Sequence, residues 1–179
     1  MQGDGLVTIT DESIERIPII ESDVLPERYW ETLRSEQQEL LRYVRDDELG
    51  TEAVAYYTMD ITMLGRYKGL PGARQVFPTR YDVPHIVVHN HPDGRTLSIN
   101  DFIPFIDNPM TKIMCAVGNN GTVYTLEKLP EFEAANAVRV FMDAHVNILD
   151  PKITLIEHIE YTETFYTSTV KYGFLYRKG

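Results

Sequence analysis

The chain predicts an α/β fold, a mixed β-sheet flanked by helices. Three observations carry this. Residues 27–45 place Trp30, Leu33, Leu40, Leu41 and Val44 at helical spacing, with Gln37 filling one slot. Residues 51–127 break into short runs rich in Val, Ile, Thr and Tyr, separated by Gly, Pro, Asn and Asp clusters. Helical periodicity then returns after Pro130. Helix, strands, helix, strands, helix is the pattern of a layered α/β domain.

Taken in order, residues 1–25 are polar and acidic and form an N-terminal extension, with one short strand expected at 6–9. A single domain follows over 26–179. Pro26 precedes the first helix, where proline is tolerated. Residues 51–58 predict a strand with Glu52, Val54 and Tyr56 on one face and Ala53, Ala55 and Tyr57 on the other. A second strand is expected over 61–68, a loop at 69–72 and a short strand at 74–77. The run Ile86-Val87-Val88 suits a buried strand, and Pro104 limits or kinks the helix that follows Asp101. Residues 111–117 and 122–127 predict a hairpin across Asn119-Asn120-Gly121. A helix over 130–146 should carry a stripe of Phe132, Ala135, Val138, Phe141 and Ala144. Another, with Leu155, Ile159, Thr162, Phe165, Tyr166 and Val170 on one side, precedes an extended piece at 174–176.

Composition narrows the functional classes. A net charge of −10 argues against nucleic acid as a main partner. No apolar run approaches the length of a membrane span, and the N-terminus lacks the basic and apolar segments of a signal peptide. The cytoplasm is therefore the expected location. A lone cysteine, Cys115, permits no disulfide within the chain and reads as a buried strand residue.

Chemistry concentrates in residues 85–101. His89 and His91 alternate with Asn90 on a strand, so both imidazoles point to one side. Asp93-Gly94 signals a turn. Ser98 sits where a helix N-cap would, and Asp101 falls one turn later. His-x-His alone is a weak metal signal, and Ser-x-x-Asp alone is a variant of the capping box. In this order, they offer two imidazole nitrogens and a carboxylate, three ligands of a zinc site with its fourth position open.

This stretch resembles the JAMM motif of the JAB/MPN metallopeptidases: an upstream Glu, His-x-His-Pro, then Ser-x-x-Asp. His-Asn-His-Pro-Asp-Gly is most similar to bacterial and phage members, including RadC-like and phage-associated JAB proteins. Six residues separate His91 from Ser98, one fewer than is usual in the family. The resemblance covers about residues 40–130 and implies a cytidine-deaminase-like MPN fold. It implies Zn2+ held by His89, His91 and Asp101, and a metal-bound water attacking an amide of a protein or peptide substrate. It also implies Ser98 as the oxyanion donor and a strand-borne Glu as the general base. Glu52 fits that base best, because a carboxylate heading an otherwise apolar strand face needs a partner. Glu48, in an acidic turn, is the runner-up.

The remaining histidines rank lower. His85 shares the face of His89 and His91, while His145 and His158 have no spaced partner. Tyr161, Tyr166, Tyr172 and Tyr176 read as packing residues. Two other functions stay open at this level. A non-catalytic MPN-like scaffold, as in phage particle assembly, would keep the fold without turnover. A zinc deaminase would need a downstream Cys pair, against which the single cysteine argues. Ubiquitin-like, phage structural and cell-wall peptide substrates would all use the same site.

Overall fold

In the computed structural model, residues 5–73, 76, 78–133, 135, 136, 138–140, 142, 143 and 154–179 are described. Among them, six strands form one mixed sheet: β1 (Ala53–Thr58), β2 (Met63–Lys68), β3 (His85–His91), β4 (Thr111–Gly118), β5 (Val123–Lys128) and β6 (Phe174–Lys178). Their order is β2-β1-β3-β4-β5-β6. Only β3 and β4 pair in parallel. A parallel neighbour needs a crossover, and helix α3 (Ile99–Asp107) makes it. The expected α/β class is thus observed.

Alternation divides the core into two layers. Helix α2 (Trp30–Val44) turns Leu33, Gln37, Leu40, Leu41 and Val44 inward, the stripe expected from the sequence. They pack on Ala53, Ala55, Tyr57, Ile86, Val88 and Cys115. The opposite sheet face meets α3 and helix α4 (Leu155–Thr167) through Phe102, Phe105 and Tyr166. Strand β3 is buried along all seven residues, as its central position demands.

Several local expectations need correction. Residues 6–9 form no strand; Val7 instead receives a hydrogen bond from Asn119 Nδ2 and donates its amide to Pro92 O at 2.7 Å. A short helix α1 (Asp11–Glu15) follows, closed by a Thr10–Ser13 capping box. Ile9, Ile14, Ile17 and Leu25 of the expected extension lie in the same core as α2. Strand β1 begins at Ala53, so Glu52 stands just outside it, and β2 begins at Met63. The strand expected at 74–77 lies mostly outside the described residues.

The helical residues between 135 and 143 bury Val140 and leave Ala135 and Val138 exposed, so the stripe is rotated from the expected one. His145 and the end of that expected helix lie outside the described residues. Helix α4 ends at Thr167, leaving Val170 in a 3-10 turn and exposed. The extended C-terminal piece is a full edge strand, β6, paired with β5. Among the described residues, no helix is long and apolar enough to cross a membrane.

Candidate metal centre

Strand β3 sets the site. Its side chains alternate, so His85, Val87, His89 and His91 face α3, while Asn90 faces the other way. Helix α3 starts after Ser98, placing Asp101 in its first turn. The parallel crossover from β3 thereby brings the Asp101 carboxylate over the two imidazoles.

Three donors converge there. His89 Nε2 and His91 Nε2 lie 2.9 Å apart. Asp101 Oδ1 is 3.1 Å from His89 Nε2, and Oδ2 is 3.4 Å from His91 Nε2. Donors about 2.0–2.1 Å from a tetrahedral zinc would be separated by about 3.3 Å. The two nitrogens sit closer than that edge and each faces a different Asp101 oxygen; all three residues offer a ligand atom within 4.8 Å of one another, so the group could hold a metal ion. Two imidazole nitrogens facing one carboxylate need a cation or a proton among them. Burial disfavours the charged His91, yet the Asp101 hydrogen bond and charge, with the Arg95 carbonyl and the Glu52 charge, carry its pKa up to about 9. Burial also works against an ionised Asp101, and the His89 and His91 imidazoles overcome it, holding the carboxyl well below its ordinary range.

Hydrogen bonds orient two of these side chains. His91 Nδ1 lies 2.8 Å from the Arg95 carbonyl, which makes Nδ1 the protonated nitrogen and leaves Nε2 free to coordinate. Asp101 Oδ2 accepts from the Ser98 amide and hydroxyl, both at 2.6 Å. The Ser98 hydroxyl, expected to face an oxyanion, is thus bound to a ligand carboxylate. Glu52, expected to open strand β1, stands just before it and lines the same cavity as the histidines. The β1–β3 register pairs Val54 with His89, and Glu52 precedes that strand, near enough for its charge to help raise the His91 pKa. Glu52 is half-buried and lines the same cavity as the triad, which has a volume of about 730 Å³. Glu48, the alternative base, lies beside Gly72 and does not line this cavity.

Two sets of supporting residues were not foreseen. Asn90 accepts from the Ala53 amide at 2.7 Å and donates to the Thr51 carbonyl at 3.2 Å, pinning the chain on both sides of Glu52. Its position between two ligand histidines was the available signal. Three tyrosines hold alternate residues of the ligand loop. Tyr124 Oη donates to Gly94 O at 3.3 Å, Tyr176 Oη bonds Thr96 Oγ1 at 2.9 Å, and Tyr166 Oη donates to Ser98 O at 3.1 Å. Tyr166 and Tyr176 also stack at 5.2 Å, so packing, the role expected for them, is only half of what they do.

The other candidates fall away from the centre. His85 is fully buried between the Val83 carbonyl and Thr111 Oγ1, and burial lowers its pKa. Cys115 lies on the α2 face, where burial pushes its thiol up to about 12. His158, on α4, lines the far wall of the cavity.

No family model, curated protein or solved structure matches this chain. The likeness to the JAMM motif rests on the sequence alone.

Proposed function

We propose that the protein is a zinc-dependent metallopeptidase or isopeptidase of the JAMM type. The observation that supports this best is the convergence of His89, His91 and Asp101, with Glu52 on the wall of the same cavity. Bound zinc would activate a water and polarise the scissile carbonyl. Glu52 would take the proton from the attacking water and return it to the leaving amine. Asn90 holds the backbone on both sides of Glu52. Ser98 fixes the Asp101 ligand, and its hydroxyl reaches an oxyanion only by releasing Asp101 Oδ2.

Glu52→Gln tests the reading. The amide keeps size and hydrogen bonding but cannot accept the proton. Zinc per chain should stay near one, while turnover on a peptide or isopeptide library falls roughly 10²–10⁴-fold. Unchanged turnover would remove Glu52 from the chemistry. A zinc-loaded wild type inert on the whole library would favour a non-catalytic scaffold.

A further inference from the structure

The cavity floor is graded along the strands. Register aligns β1, β3 and β4 into rows: Val54, His89 and Ala116 in one, Tyr56, Val87 and Met114 in the next. Successive same-face rows are two residues, about 6.6 Å, apart. The first row carries a zinc ligand. The second is apolar across all three strands, and its members are only 2%, 6% and 6% exposed. The Tyr56 hydroxyl already accepts the Thr79 amide at 2.8 Å, so Tyr56 offers its ring to the cavity. Above this floor stand Ile103 and Pro104 of α3 and Val76 of the preceding loop. Ile103 keeps 39% of its surface exposed. At the rim, Arg80 and Asp107 form an exposed ion pair.

We infer that the Tyr56–Val87–Met114 floor is a specificity subsite for an apolar side chain, of leucine or methionine size, on a peptide residue flanking the scissile amide. One residue of chain spans about 3.3–3.6 Å. The backbone and side-chain reach of a flanking residue therefore matches one row of strand. A charged side chain there would lose its hydration without a partner. A role for the subsite in cleavage rests on the peptidase reading; the subsite itself needs only the donor cluster and the apolar row beside it.

Amino-acid hydroxamates test it on the zinc-loaded full chain. Their head group chelates the metal and their side chain samples the floor. By calorimetry, leucine hydroxamate should bind roughly 10- to 100-fold tighter than glycine hydroxamate. Glutamate hydroxamate should gain nothing over glycine. Val87→Phe should erase the leucine advantage while keeping zinc content and glycine hydroxamate binding. Met114→Ala, which opens the floor, should move the preference toward phenylalanine hydroxamate.

A second measurement needs neither metal nor turnover. With methyl-labelled methionine, and Met114→Ala assigning the signal, N-acetyl-leucinamide should shift the Met114 methyl resonance and N-acetyl-glycinamide should not. Equal hydroxamate affinities, a leucine preference that survives Val87→Phe, or an unmoved Met114 methyl would overturn the subsite. A leucine preference without hydrolysis of any peptide would sink the peptidase reading and leave the subsite standing. Hydrolysis indifferent to flanking apolar residues would do the reverse.

Discussion

On one side of β3, Ile86, Val88 and Asn90 meet the layer under α2; on the other, Val87, His89 and His91 meet α3 and a cavity. Both sets are buried. The α2 side is filled with aliphatic side chains and contributes packing. The α3 side leaves a void of about 730 Å³ and fills its rim with titratable groups. A strand of seven residues thus serves as core and as site at once, because its side-chain period is two. Stability and chemistry should therefore separate by face.

Ligand loss should give the largest effect. Asp101→Ala removes one donor of three, and zinc per chain should drop from about one to near zero by elemental analysis. The protein should remain folded, because the α2 layer is untouched. A variant with wild-type zinc content would show that Asp101 is not a ligand.

The matching change on the other face is Leu41→Ala. Leu41 has no exposed surface. Its truncation should cost about 2–5 kcal/mol in urea unfolding, with zinc per folded chain unchanged. A loss of zinc in step with stability would mean that the faces are coupled.

Lys128 sharpens the comparison on the α3 side. It is only 5% exposed, and its ammonium donates to the Phe105 and Asn108 carbonyls at the end of α3. Burial lowers its pKa to about 7, with Lys112 adding to the shift and Asp107 opposing it. The unfolded lysine keeps its proton to about pH 10.4. Between pH 7 and 9 the unfolded state therefore binds more protons, so stability should rise with pH. The expected gain is about 2 kcal/mol across that window, measured against Lys128→Met, which should lack it. Parallel pH curves for the two proteins would rule this out.

The smallest effect belongs to Tyr166→Phe, which deletes the hydroxyl held by Ser98 O. A stability loss of about 1 kcal/mol is expected, with full zinc content retained at saturating metal. A loss as large as that of Leu41→Ala would show that the brace is part of the core.

Periodicity made α2, β1 and β3 legible, because each repeats a pattern long enough to reveal its buried face. The grouping of His89, His91 and Asp101 was legible because they lie on one strand and the next helix start. Strand β6 was legible only as an extended piece; its place in the sheet depends on pairing Phe174 with Lys128, a contact between distant segments that no local pattern encodes. The rotated stripe around Val140 has the same origin, since a helix with apolar residues on two sides is oriented by what it meets. Helix α1 is too short for periodicity, and only its Thr10–Ser13 cap could have marked it. The roles of Asn90 and the three tyrosines were hidden because hydrogen bonds to backbone leave little trace in a single sequence.

The bracing of the ligand loop by Tyr166 has a consequence for the order of assembly. Asp101 lies 12 residues from His89, whereas Tyr166 lies 68 from Ser98. Loop-closure entropy grows as (3/2)RT ln n, so the longer closure costs about 1.5 kcal/mol more. During synthesis from the N-terminus, the three ligands emerge together and can meet before α4 and β6 exist. The donor cluster is thus a local contact, and the tyrosine hydrogen bonds close over longer loops.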